Sequence, residues 1–387
     1  MATLDDPLRA AQSLRETIQK HRQVTEETRR LAPEIVEGLV DTGLCRLVVP
    51  ASLGGYEAPP VLFSRALEEL ARAEASVAWI VWNNALPCFS ARFLAEAPRK
   101  ELFGEARRLF ANSTRPSGKA VVADGGFRIS GRWSLVSGCE LAEWIPVMAV
   151  VMGDDHRQTL ASGVPKTRMA YIPKGSYAIL DTWYVGGLRG TGSHDIVVDD
   201  IFVPAEKTIS MLDPDRLNLP ISRLPFGATM SAGCAAICLG LAEAALDALV
   251  ELASTKKQAD PSPVLRDRPS VQALVATAGA EVDGARLLLH SALDEVWETC
   301  KQGALVMPKQ RARVWRSAIL AARKSKSLVT AIYEAAGTSA LYVDCLIERI
   351  HRDIHAVTQH IILAPTWLEE AGRVDLGLEP TNPIFSS

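Results

Sequence analysis

Three stretches of this chain have residue types and spacings that chemistry can use. The first is residues 334–360, EAAGTSALYVDCLIERIHRDIHAVTQH, which holds three of the seven histidines. His351, His355 and His360 stand at i, i+4 and i+9. On one helix the first two share a face and present two imidazoles that a metal could use. The third does not join them, because the helical period turns His360 about 180° from His351 and about 140° from His355. No HExxH-type carboxylate accompanies the set, so solvated or satisfied histidines are the plainer account. The second stretch, residues 131–144, reads GRWSLVSGCELAEW. It is a strand pattern ending at Ser137-Gly138, with a hydroxyl at the strand end and a tryptophan soon after. It lacks the GxSxG elbow, which disfavours a serine hydrolase. The third, residues 183–195, reads WYVGGLRGTGSHD. It is glycine-rich, yet it has neither the spacing nor the strand–helix setting of a phosphate loop, so β-turns are its simplest reading. Trp82-Asn83-Asn84 adds a fourth candidate on an otherwise apolar helix. Buried asparagines need partners, and a pocket wall and a packed core are both open there.

These residues must be positioned by a chain of 387 residues, long enough for two or three domains. Apolar residues are 48% and charged residues 22%, with a net charge of −3, the balance of a globular enzyme or binding protein. No Lys/Arg block favours nucleic acid. No run reaches the roughly 18 apolar residues of a membrane span. The start, MATLDDPLRAAQ, lacks a signal-peptide pattern, and seven scattered cysteines without a CxxC fit reduced thiols, so a cytoplasmic protein with no metal site is expected. Helical periodicity runs over residues 3–42, read as two helices, and over 60–104, where Val77, Ile80, Val81 and Leu86 predict a helix buried on most sides. From 109 to about 205 short β-rich runs alternate with glycines, and Ala123-Asp124-Gly125-Gly126 predicts a hairpin turn. An antiparallel β-domain is expected there. Long helical patterns follow over 226–254, 270–303, 308–335 and 342–360, with Asp260-Pro261-Ser262-Pro263 between the first two, and predict an up-and-down bundle. The expected domains are 1–108 (helical), 109–215 (β) and 216–387 (helical).

The three stretches, in this order and in this layout, resemble the acyl-CoA dehydrogenase superfamily over nearly the whole chain. WYVGGLRGTGSHDIVVDDIFVP is similar to its WxxxGxRGTxSxxVxxxxxxVP segment. The resemblance implies an α+β fold with an N-terminal helical domain, a middle antiparallel β-barrel and a C-terminal four-helix bundle, assembled as a homotetramer. It also implies a flavin, with Ser137 beside flavin N5. Asn112, Trp133, Trp183 and Arg189 are the further implied cofactor contacts, and Gly337 and Thr338 those offered to a neighbouring subunit's flavin. Trp82 and Asn84 are the expected substrate-pocket residues.

The branch follows from what the chain lacks. Acyl-CoA dehydrogenases carry a glutamate base nine residues after the arginine of a late Arg-Asp pair. The pair here is Arg352-Asp353, and the matching position is Ile361, which accepts no proton. The second family location for a base lies early in the bundle, and no acid occurs between Asp215 and Glu243. The RxxFG motif is also missing, its region reading KKQADPSPVLRDRP. RDIHAVTQH instead resembles the flavin-dependent aromatic monooxygenases of the superfamily, with His360 eight residues after Arg352. That resemblance implies catalytic roles for His360 and Ser137, reduced FMN or FAD supplied by a separate flavin reductase, O2 as co-substrate, and hydroxylation of a small phenol- or indole-type ring through oxygen added at flavin C4a. The alternative is an acyl-CoA dehydrogenase or oxidase with FAD and an unrecognised base.

Overall fold

The computed structural model describes residues 6–153, 156–160, 163–255 and 264–386. The N-terminal part holds α1 (Pro7–Ser13), α2 (Arg15–Thr28), α3 (Pro33–Asp41), α4 (Pro60–Ala73), α5 (Ala75–Ser90) and α6 (Glu96–Phe103). Three helices therefore stand where the periodicity of residues 3–42 predicts two. Leu14 separates α1 from α2, and the chain leaves α2 through Arg29 in the left-handed region (φ 60°). Helix α5 is buried on most sides, as its apolar pattern predicts. Glu74 caps its first turn by accepting from the Ser76 N–H. Pro87 lies near its end and has no N–H for the carbonyl of Asn83 one turn back.

The middle part is one seven-stranded sheet in the order β5-β6-β2-β1-β3-β4-β7. Its strands are β1 (Ser113–Ala123), β2 (Gly126–Val136), β3 (Trp144–Met152), β4 (Thr167–Pro173), β5 (Ala178–Leu180), β6 (His194–Pro204) and β7 (Thr208–Ile209). The expected hairpin is present: Ala123 pairs with Gly126 across Asp124-Gly125, and Gly125 supplies φ 72°. The antiparallel expectation needs one correction, because β1 and β3 pair in parallel. The chain leaves β2 at Ser137, crosses to the far side of β1, and so returns in the direction of β1. The sheet has its own core, centred on Ile129, Trp133, Ile145, Val147, Ile172 and Ile196.

The C-terminal part contains α7 (Phe226–Thr255), α8 (Pro269–Lys301), α9 (Pro308–Ala336), α10 (Leu346–Val357) and α11 (Thr366–Asp375). Helix α7 packs against α4, α9 and α10, and so joins the N-terminal helices to the bundle. Residues 226–254 of α7 are long and apolar enough to qualify as a membrane span by composition, which corrects the expectation that no run reaches that length. Yet 72% of that helix's most apolar window is buried, which makes it the central core helix of this fold. Helix α10 is shorter than predicted. Gly337, at φ 58°, ends α9, a short 3-10 turn follows over Gly337–Leu341, and α10 starts only at Leu346. The predicted loop at 260–263 lies outside the described residues.

Candidate active site

The site forms where α5, the end of β2, the loop before β6 and the end of α10 converge. Ser137 follows the last residue of β2. The strand is irregular there: the β2–β6 register shifts between Trp133 and Val136, and Leu135 sits at φ 61°. A non-glycine residue in that region costs roughly 1–3 kcal/mol and is found where the surroundings enforce it. The bulge leaves the Leu135 side chain 48% exposed, while Ser137 is buried. Gly138, at φ 74°, turns the chain away, and its N–H donates to Thr191 O (2.9 Å).

Ser137 belongs to a chain of neutral polar groups. Trp79 Nε1 donates to Ser137 Oγ at 3.0 Å. Ser137 Oγ and Ser193 Oγ are 2.7 Å apart, and Ser193 Oγ and Thr191 Oγ1 are 2.6 Å apart. Thr191 Oγ1 then donates to Leu188 O at 2.8 Å. None of these groups ionises near neutral pH.

His360 stands on the facing side, beyond the end of α10. It caps the 3-10 turn Ile361–Leu363, with Nδ1 accepting from Ile362 N–H at 3.2 Å. The expectation of three histidines on one helix is thereby corrected. The ring meets Trp79 and Trp82 edge-on, with centroids 5.5 and 5.2 Å away. Helix α7 seats both partners: Trp82 Nε1 donates to Met230 O (2.9 Å), and the neighbouring Ser231 Oγ donates to Ile362 O (3.1 Å). Burial, reinforced by the nearby Arg115 charge, lowers the His360 pKa to about 4. The ring is therefore neutral at physiological pH. Its Nδ1 lone pair is taken, so the proton sits on Nε2 and the ring is left as a hydrogen-bond donor.

A buried ionic assembly holds the loop between these two walls. Asp353 on α10 accepts the Leu188 N–H at 2.7 Å. Leu188 itself is left-handed (φ 53°), and its carbonyl also accepts from Trp183 Nε1 at 3.1 Å. Arg352 bonds Gly186 O and pairs with Glu26 (2.8 Å) and Glu348 (2.7 Å). The loop backbone lies directly on α10, since a Cβ at Gly187 would sit 2.4 Å from Arg352 O. Arg189 is within 3.4 Å of Glu26. Asp353 and Glu74 are both buried. Burial, foremost, and their mutual repulsion push Asp353 well above the ordinary carboxylate range.

The other sequence-derived residues divide. Asn112 donates through Nδ2 to Asn83 O at 2.9 Å, the carbonyl that Pro87 leaves without its helical partner. Trp183 flanks the loop through its bonds to Leu188 O and Arg189 O. Gly337 and Thr338 are exposed at the break after α9. Two expectations are corrected. Trp133 is wholly enclosed in the β-sheet core with its N–H on Met148 O (2.8 Å), so its ring has no face for a cofactor. Asn84 spends both amide ends on structure, donating to Ile80 O (3.0 Å) and accepting from Phe110 N–H (2.8 Å). It pins α5 to the start of the β-domain and does not line a pocket. His351 and His355 do stack, with centroids 4.4 Å apart, and Tyr333 covers His351 at 4.2 Å. No cluster of three metal-ligating side chains exists among the described residues. Sequence reasoning missed Trp79, Thr191, Ser193 and Asp353 as site residues. Trp79 was detectable as the i−3 neighbour of Trp82, and the other three lay inside stretches already singled out.

Comparison with known proteins places the fold in a family. Residues 9–103 match the acyl-CoA dehydrogenase N-terminal domain and 232–365 the acyl-CoA dehydrogenase C-terminal domain. The chain is 32% identical over 393 residues to the flavin-dependent monooxygenase oxygenase subunit HsaA of Mycobacterium tuberculosis, covering 96% of each protein. The chain belongs to the acyl-CoA dehydrogenase family. Its place there is among the flavin-dependent monooxygenases. The indole-3-acetate monooxygenase of Acinetobacter baumannii is 30% identical over 351 residues, 90% of this chain and 88% of that one. The crystal structure of 3-HSA hydroxylase from Rhodococcus sp. RHA1 superposes with a TM-score of 0.89 at 28% identity, covering 98% of this chain and 99% of that one. In this member of the acyl-CoA dehydrogenase family, the residue nine places after Arg352 is Ile361, with its side chain largely in solvent.

Proposed function

We propose that the protein is the oxygenase component of a two-component monooxygenase that hydroxylates a small aromatic or heteroaromatic ring of phenol or indole type. The observation that carries this reading is the neutral His360, set edge-on against Trp79 and Trp82 with its Nε2–H free, while the same Trp79 donates to Ser137. The residues present fit a flavin. Leu135 offers an exposed apolar surface beside the buried Ser137 hydroxyl, and no partner for Asn112 Oδ1 or His360 Nε2 occurs among the described residues. Ser137, Asn112, Trp183 and Arg189 would hold the ring system from one subunit. When bound in its reduced state, the flavin supplies electrons to O2 and delivers one oxygen atom to the substrate.

The chain's own contributions follow from its geometry. Ser137 bonds the polar edge of the cofactor; such a bond is worth on the order of 1 kcal/mol. His360 donates from Nε2 and orients an oxygen acceptor in the pocket. Its neutral ring and occupied Nδ1 favour this over removal of a substrate proton. Trp79 and Trp82 exclude water around that donor. The relatives are oxygenase subunits, which supports a separate reductase as partner. Leu341, Tyr342 and Val343 are 68%, 67% and 77% exposed beside Gly337 and Thr338. That apolar run supports a homo-oligomer, a tetramer on the family pattern, in which a second copy brings its flavin to Gly337 and Thr338. We assign the protein to the cytoplasm.

The test supplies photoreduced FMN or FAD, O2 and a panel of phenols, indoles and thiophenes, and weighs the products for one added oxygen. The dehydrogenase alternative predicts a yellow protein that an acyl-CoA bleaches; that result, with no oxygenated product, overturns the proposal.

A further inference from the structure

We propose that Thr191 and Ser193 fix the direction of the Ser137 hydroxyl, so that it can only accept a hydrogen bond from the cofactor, and that the protein thereby favours reduced over oxidised flavin. The inference rests on the reading of Ser137 as the hydroxyl beside flavin N5. The argument is a count of hydrogens. Four contacts join Trp79 Nε1, Ser137 Oγ, Ser193 Oγ, Thr191 Oγ1 and Leu188 O in sequence. Four hydrogens are available, one on each of the first four groups. The ends are fixed, because an indole N–H only donates and a carbonyl oxygen only accepts. One arrangement fills all four contacts: Trp79 donates to Ser137, Ser137 to Ser193, Ser193 to Thr191, and Thr191 to Leu188 O. Reversing the hydroxyls would leave Thr191 Oγ1 and Leu188 O facing each other, lone pair to lone pair, at 2.8 Å.

Ser137 thus has its proton engaged and one lone pair unused. Flavin N5 carries a hydrogen when reduced and a bare lone pair when oxidised. A preset acceptor matches the first and opposes the second. Leu188 O can anchor the chain because both backbone polar groups of Leu188 are held, the N–H by Asp353 and the carbonyl by Trp183 Nε1 and the Thr191 N–H. Thr191 acts as a positioning residue at two hydroxyls' remove from the ligand.

The test titrates the full-length protein with oxidised FMN and, anaerobically, with photoreduced FMN, then repeats both with FAD. The wild type is expected to bind the reduced form more tightly. Ser193→Ala removes the acceptor of the Ser137 proton, and Thr191→Val, nearly isosteric, lets Ser193 turn its proton toward Ser137. Either change frees Ser137 to donate. Each should shrink the reduced-to-oxidised preference by about tenfold, the worth of one hydrogen bond, mainly by tightening the oxidised form. The bound flavin's two-electron midpoint then moves about 30 mV more negative. Thr191→Ser should restore the preference, and Trp79→Phe should keep it, because the Leu188 end still sets the direction. A preference unchanged in both Ser193→Ala and Thr191→Val overturns the inference while leaving the functional reading intact, and so does a preference lost in Trp79→Phe. Wild-type protein that binds neither redox form overturns both. Misfolding is distinguished because it weakens the two forms together and leaves their ratio alone.

Discussion

Two polar assemblies meet at Leu188, and they are built from opposite materials. One runs from Trp79 through Ser137, Ser193 and Thr191 to the Leu188 carbonyl and holds no charge. The other holds the Leu188 N–H and the Gly186 carbonyl with Asp353 and Arg352, inside a cluster that also contains Glu26, Glu74, Glu348 and Arg349. The neutral assembly joins α5 to the end of β2 and the loop before β6; the ionic one lies against α2, α5 and α10. The difference has a physical reason. A reaction centre that must hold a reactive oxygen in a dry pocket gains from donors and acceptors that do not change protonation. A buried turn with a left-handed leucine needs strong, directional partners, and the Asp353 carboxyl and the Arg352 guanidinium supply them. His360 falls on the neutral side of this division, because burial keeps its pKa near 4.

The largest expected effect comes from the neutral side. His360→Ala should keep flavin binding yet divert nearly all reduced flavin to hydrogen peroxide, with product formation down about 100-fold or more. His360→Gln keeps an N–H donor near the Nε2 position and cannot act as a base, so it should retain product within about tenfold of wild type. Wild-type coupling should also be level from pH 6 to 9, because the folded ring gains its proton only as the pH falls toward 4. The measurement is product formed per reduced flavin consumed. A Gln variant as dead as the Ala variant, together with a rise in coupling through pH 6–7, would make His360 a base and erase the contrast between the two assemblies.

The ionic side is expected to speak through stability. Asp353→Ala leaves the buried Leu188 N–H without its acceptor and should cost about 2–3 kcal/mol in urea unfolding. Asp353→Asn keeps the acceptor and should stay within about 1 kcal/mol of wild type. The pH dependence sharpens the point. Burial raises the Asp353 pKa above its unfolded value near 4, so the folded state binds the extra proton. The stability linked to that proton is fully present below about pH 4 and is lost as the pH rises through the folded value. Glu74 and Glu26 repel the ionised form, and Arg352 partly compensates. Wild type should therefore weaken, relative to Asp353→Asn, as pH is raised from 4 toward 9. Parallel curves for the two proteins would show that Asp353 is ionised throughout.

Much of this architecture was legible in the chain, and the failures are specific. The hairpin at Asp124-Gly125 was readable because a two-residue turn dictates its own residue types. Helix α5 was readable because it is apolar on most sides. The parallel β1–β3 pair was not, since strand order depends on where a connection crosses and not on alternation along a strand. In the site, Ser137 and His360 could be singled out by motif. The hydroxyl chain could not, because Ser193 and Thr191 reach Ser137 only when β6 pairs with β2 and brings His194 opposite Val136. Trp133 misled for a related reason: an aromatic in a motif-bearing strand gives no sign of which face it occupies, and this one faces the core. Asp353 was noticed as half of a motif, but its partner is the backbone of a loop 165 residues away.

The smallest expected effect concerns the histidine pair whose spacing was the most conspicuous signal in the sequence. His351 and His355 do share a face of α10, as their i, i+4 spacing requires. Burial lowers both pKa values and the nearby Lys326 ammonium adds to this, while the Glu348 carboxylate partly offsets it at His351. The same positive charge opposes a bound cation, and no group of three metal-ligating side chains occurs among the described residues. The pair acts through ring packing, with His351 stacked on Tyr333 at 4.2 Å. His351→Ala should therefore cost only about 1 kcal/mol, the scale of an aromatic contact, and leave product coupling unchanged. Zinc added to the wild type should leave its thermal midpoint where it was. A zinc-dependent rise in that midpoint, absent from His351→Ala, would give the pair a ligand after all and would place a charged centre on the bundle face that the neutral assembly otherwise does without.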